Sequence, residues 1–269
     1  MNEEKFQSGE QERDLLDGGF AVVDREKIIE EETREITPWY MHFVNIFSSP
    51  KKMMEENFYH EPPQGMAIGI IGSILFTVIA TLLTFINPVM KQTLYDQFRM
   101  SGISEEMIGQ RYAMTQISGI IAAVVMIFVS AFLTALLIQI VKAIVKDKGK
   151  FGSLFVVALF SQMVGSAVMC VDKLIAFFIP TAHTVLGLPI LLDEDMLAGN
   201  IALNVIAQLL SLPAIWALVI LVIGYSVVTR TSIKKGIGVV VCVQTFFTLV
   251  GIGLAYVGQM MMQNSFNGM

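Results

Sequence analysis

Five uncharged amide side chains interrupt the long apolar stretches of this chain: Gln139, Gln162, Asn204, Gln208 and Gln244. Each offers two donors and an acceptor, so in a bilayer it can line a polar cavity or bond one helix to the next. Asn204 and Gln208 are four residues apart and share a helical face. With Gln162 and Gln244 they form the candidate polar intramembrane group. Interhelical bonding, at roughly 0.6 kcal/mol per contact, competes as the use of such residues and requires no cavity. Small residues four apart recur as Gly65/Gly69, Gly119/Ala123, Ser161/Gly165 and Gly251/Ala255, a spacing that permits close helix contact.

Covalent or metal chemistry finds little to work with. There is no G-x-S-x-G, no H-E-x-x-H and no pair of aspartates within an apolar run, which are the arrangements that would supply a nucleophile with its base or a zinc set. His42, His60 and His183 are scattered. Cys170 and Cys242 are embedded in apolar sequence and read as small core hydrophobes. The expectation is a non-enzymatic protein with no cofactor and no metal.

A second constellation could meet lipid. Trp39, Tyr40, Phe43 and Phe47 recur with Val44 and Ile46 at helical spacing, one face of a helix lying in the headgroup layer. Ser48-Ser49-Pro50 then reads as a break and restart, because proline suits the first turn of a helix. Lys51 and Lys52 follow at once. Lysines there oppose the helix dipole, so anionic headgroups are one reason for them and simple solvation another.

The elements that must carry these residues are membrane helices. The chain is 54% hydrophobic and only 15% charged, with a mean hydropathy of +0.65. A soluble domain carries about 25% charged residues. Residues 1–65 hold 15 acids against 7 bases; this uneven charge leaves no basic footprint for nucleic acid. Residues 1–35 are polar and acidic, and read as a disordered tail. Residues 36–65 form the interfacial amphipathic segment, and 66–258 the membrane domain.

Five spans are expected: Met66–Ile86, closed by Asn87-Pro88; Ile117–Val141; Phe151–Val171; Val205–Val228, kinked at Pro213; and Gly236–Val257. Each is close to the roughly 20 residues that cross a hydrocarbon core, and none contains a charged side chain. The turns after the second and fourth spans hold Lys142, Lys146, Lys148, Lys150, Arg230, Lys234 and Lys235 against Asp147 alone. By the positive-inside bias both are cytoplasmic, with the N-terminus inside and the tail 259–269 outside, in a cell membrane. This orientation requires that Leu174–Leu192, interrupted by Pro180, His183, Gly187 and Pro189, be a re-entrant or interfacial element that does not cross. The fold expected is an all-α five-helix membrane bundle with an N-terminal interfacial helix.

Three stretches resemble the Yip-domain family, multi-span membrane proteins named for interaction with Ypt/Rab GTPases. They are FVNIFSSPKKMMEENF before the first span, KDKGKFGSLFVVALFS at the lysine turn, and LPAIWALVILVIGYSVVTRTSIKKG around the fourth span and its basic turn. The resemblance covers roughly residues 40–258 and implies a cytoplasmic N-terminal segment and five membrane helices. For eukaryotic members it also implies roles in vesicle trafficking through GTPases. This chain lacks the Asp-Leu-Tyr-Gly-Pro type motif of those members and carries Met163-Val164 where many relatives have proline. Those departures place it with the compact prokaryotic-type branch and tell against a GTPase partner. The functional expectation is a protein working through contacts with lipids, other membrane proteins or a second copy of itself. A transporter, channel or lipid-translocating protein, or an accessory subunit of a transport complex, is the alternative.

Overall fold

Helices account for nearly all the regular structure in the computed structural model, which describes residues 38–59, 65–179, 181, 184–192, 196–197 and 200–267. The tail expected over 1–35 lies outside those residues. Two short helices come first, α1 (Trp39–Ser48) and α2 (Pro50–Tyr59). They are followed by α3 (Met66–Ile86), α4 (Pro88–Met100), α5 (Glu105–Ile144) and α6 (Phe151–Phe178). A single 3-10 turn, Leu188–Leu191, precedes α7 (Ile201–Leu209), α8 (Leu212–Thr229) and α9 (Ile233–Asn267). Among the described residues the only β feature is an isolated bridge between Gly187 and Ser211. Helices α3, α5, α6, α8 and residues Ile233–Gly258 of α9 are long and apolar enough to cross a membrane. The protein is a multi-pass, all-α membrane protein.

The punctuation follows the turn residues. Pro50 opens α2, and Pro88 opens α4 with Asn87 at its cap. The Asn87 Oδ1 accepts from the Val89 and Met90 amides at 2.9 and 3.3 Å, satisfying two donors that a helix start leaves orphaned. Its Nδ2 donates to the Ala176 and Thr181 carbonyls at 3.1 and 3.4 Å. One side chain therefore joins the end of α3 to the end of α6.

Helix α6 is the centre of the bundle, with Leu154, Val157, Leu159, Phe160, Met163 and Val164 fully buried. It packs on α3, α8 and α5. Small residues set the approach: Gly69 lies against Leu159 and Phe160, and Gly165 against Ala217. A Cβ on Gly224 would fall inside contact distance of Val157. Hydroxyls add direct links, from Ser73 to the Leu159 carbonyl (3.0 Å), between Thr77 and Ser166 (2.8 Å), and from Ser161 to the Ala217 carbonyl (2.7 Å).

Both basic turns sit at one end of the bundle. Lys235 on α9 reaches the Asp147 carboxylate and the Val145 carbonyl, while the Tyr225 hydroxyl donates to the other Asp147 oxygen at 2.6 Å. Lys142 donates to the Gly149 carbonyl and so closes the turn on itself. Burial pushes the Asp147 carboxyl up, but the hydrogen bonds from Lys235 and Tyr225 and the charges of Lys235 and Lys142 hold it below its ordinary value.

One expectation is corrected. The fourth span is not one kinked helix: α7 stops at Leu209, and α8 begins at Leu212 with Pro213 in its first turn. Proline is tolerated there because the first-turn amides have no intrahelical partner. The Leu212 amide instead donates to the Leu186 carbonyl at 2.7 Å, which returns from the preceding loop and makes the break stable. The expected spans stay uncharged, but the helices run past them. Helix α6 runs past Val171 through a fully buried Asp172 and through Lys173, and Lys142 is buried near the end of α5.

Candidate functional site

The Asp172 carboxylate explains how the chain after α6 is arranged. Its Oδ1 accepts from the Val185 and Leu186 amides at 2.8 and 2.7 Å. Residues 184–187 therefore turn back onto the end of α6 that they left, and the bridge from Gly187 to Ser211 carries that return to the start of α8. Thr184 then donates to the Gln208 Oε1 at 3.0 Å. The stretch folds over one end of the bundle and does not cross it.

Beneath this cap lies a cavity of about 1010 Å³. Helix α6 contributes Gln162, Gly165, Ser166, Met169 and Lys173 to its wall, residues three and four apart along one helical face. Asn204 and Gln208 enter from α7, Gln244, Phe247 and Thr248 from α9, and Thr77, Thr81 and Thr84 from α3. All four amides singled out in the sequence border this one cavity. Gln139 does not; it is carried on α5, and its buried Oε1 has no hydrogen-bond partner among the described residues.

The chain belongs to the Yip1-domain family. The family model of the Yip1 domain matches residues 44–256, from the middle of α1 to α9, so the cavity and the lysine end both fall inside the Yip1 domain. No match was found among curated proteins or among solved structures.

The lipid-interface candidates divide. Tyr40 is exposed. Phe43 and Phe47 turn toward the bundle and pack on its core, with Phe43 stacked on Phe76 at 5.6 Å. Of Trp39 the structure describes only the backbone. Lys51 and Lys52 are exposed, with Glu55 and Glu56 one turn on at 3.7 and 3.8 Å. Their neighbours His42 and Asn57 are buried, the His42 Nδ1 and Asn57 Nδ2 without a hydrogen-bond partner among the described residues. Burial pushes the His42 imidazole below its ordinary value, opposed by the charge of Glu56.

Sequence reasoning missed Asp172, Lys173 and the threonines of α3. The Asp172-Lys173 pair directly follows an uncharged run and reads there as a loop start. Thr77, Thr81 and Thr84 do fall at three- and four-residue spacing, a signal that could have added α3 to the amide group.

Proposed function

We propose that this Yip1-domain protein is non-enzymatic and acts through contacts with membrane lipids, with other membrane proteins or with a second copy of itself. The observation that carries the proposal is the cavity: its mostly apolar wall carries four neutral amides and several hydroxyls beside Lys173, chemistry suited to holding a polar group without transforming it. The clustering of both basic turns at one end supports an orientation with that end cytoplasmic, in a cell membrane, by the positive-inside bias. The tail 259–269 is then external, and α1–α2 lie at the cytoplasmic face. A GTPase partner is not part of the proposal, given the missing N-terminal motif.

The same cavity favours one competing reading, a transporter or lipid-translocating protein, because four amides from three helices border a continuous space. Reconstitution separates the two. Purified protein in liposomes should move neither solute nor lipid above the rate of empty vesicles, while membrane partners or lipid co-purify after mild solubilisation. Flux that is abolished by Gln208→Leu would defeat the proposal and establish the competitor.

A further inference from the structure

We infer that the cavity is a binding site for one neutral glycerolipid, entered from the side of the bundle, with the lipid's ester and hydroxyl groups against Gln162, Asn204 and Gln244. The inference rests on the lipid-contact part of the functional proposal and names its ligand.

The amides themselves call for such a ligand. No hydrogen bond joins the side chains of Gln162, Asn204 or Gln244 to any other described residue, although they come from three different helices and face one space. An unpaired carboxamide is costly in apolar surroundings. Gln162 and Gln244 each lie about 16 Å along their helices from the lysine end, roughly half the depth of a 30 Å hydrocarbon core. A group that satisfies them must therefore reach the middle of the membrane.

Access is lateral. The buried residues in the membrane part of α9 include Val239, Val240 and Val243, all in the half nearer the basic turns, whereas Phe246, Leu249, Val250 and Leu254 are exposed. Helix α5 behaves in the same way: between Ile108 and Ile127 none of its residues is buried. The bundle is closed at the lysine end and splayed in the opposite half, so the cavity meets hydrocarbon directly. Acyl chains enter such an opening readily; water-soluble molecules would have to cross the lipid first.

The head group follows from the charges. Lys173 borders the cavity, but its ammonium is 3.7 Å from the Asp172 carboxylate. An anionic head would meet that carboxylate together with the lysine. An uncharged glycerolipid supplies what the amides lack, ester oxygens for their N–H groups and a hydroxyl for their oxygens.

The test uses the full chain in nanodiscs of phosphatidylcholine containing a diacylglycerol with a photoactivatable acyl chain. Mass spectrometry should find the adduct on cavity residues such as Phe85, Met169 and Phe247, displaced by excess unlabelled diacylglycerol. The double variant Gln162→Leu/Gln244→Leu should lower labelling about tenfold, the loss of roughly one good hydrogen bond's worth of affinity. Ala214→Phe, which fills the cavity and leaves the amides in place, should lower it as far, and Val241→Leu on the exposed face of α9 should not change it. Labelling that resists displacement, survives both cavity variants or is competed better by phosphatidylglycerol overturns the inference. Any of these leaves the functional proposal standing, because that proposal falls on Gln208-dependent flux, a separate measurement.

Discussion

Asp172 should be the residue on which the cap over the cavity depends. It is fully buried, and its Oδ1 holds the Val185 and Leu186 amides. Hydrogen bonds to a charged group are worth about 1.5–3 kcal/mol each, and unsatisfied amides cost a similar amount. Against this, removing the carboxylate recovers part of the several kcal/mol spent on burying an ion. The balance for Asp172→Ala is about 2–4 kcal/mol of local stability, or about 30- to 1,000-fold faster opening at about 1.4 kcal/mol per tenfold. Asp172→Asn keeps one acceptor oxygen and should lose about 1 kcal/mol. Hydrogen exchange reads this directly, since the amides concerned are those of residues 185 and 186. The peptide covering 184–192 should exchange faster in the order alanine, asparagine, wild type, while the turn 145–150 is unchanged. A rise of less than threefold for alanine, or an equal rise at both ends of the bundle, would refute the reasoning, because the loop would then be held by something other than the carboxylate.

Four further outcomes are expected. Tyr225→Phe removes the hydroxyl bonded to Asp147 and should cost about 1–2 kcal/mol in detergent unfolding, a penalty that shrinks in an Asp147→Ala background. Because the Asp147 carboxyl is held below its ordinary 3.8, that penalty should persist at neutral pH and fade as the pH drops through the depressed value. His42 is held below its ordinary 6.5, so the unfolded chain takes up its proton first. Stability should be full above about pH 6.5 and decline as the pH falls, and thermal unfolding of His42→Gln should lack this slope. Gly224→Ala should cost about 1–3 kcal/mol by forcing a Cβ against the stiff, fully buried Val157, and Val157→Ala should restore much of the loss in thermal unfolding. Deleting residues 1–35 should leave the protein in the membrane fraction; its appearance in the soluble fraction would contradict the reading of that segment as a tail separate from the membrane domain.

The five membrane-length helices could be read in advance because hydropathy is a local property: an uncharged run such as Ile117–Val141 must be buried in lipid or protein wherever the chain goes. Asn87-Pro88 and Ser49-Pro50 were equally legible, since cap chemistry involves neighbours a few residues away. The break before Leu212 was not. Pro213 alone permits either a kink or a new helix, and the choice is made by the Leu186 carbonyl, which arrives from a distant loop. The cavity was half legible. Spacing puts Asn204 and Gln208 on one face, but nothing in the order of residues says that Gln162 and Gln244, on other helices, open onto the same space. The role of Asp172 was hidden because its partners are backbone amides, which carry no sequence signature.

The links from α3 to α6 impose an order on assembly. The Asn87 cap needs only Val89 and Met90, so it can form as soon as the first span leaves the ribosome. The carbonyls of Ala176 and Thr181 are made 89 and 94 residues later, and the partners of Ser73 and Thr77 are separated by 86 and 89 residues. Between them comes all of α5, whose side-chain hydrogen bond to α3, among the described residues, is that of the Tyr112 hydroxyl with the Phe85 carbonyl. The first span must therefore wait in the bilayer, with its second neighbour already present, for a third helix that completes its polar contacts. A nascent chain halted before α6 would leave Ser73 and the Asn87 amide donors without their carbonyls, exposing them to whatever quality-control machinery or partner subunit recognises an unfinished bundle.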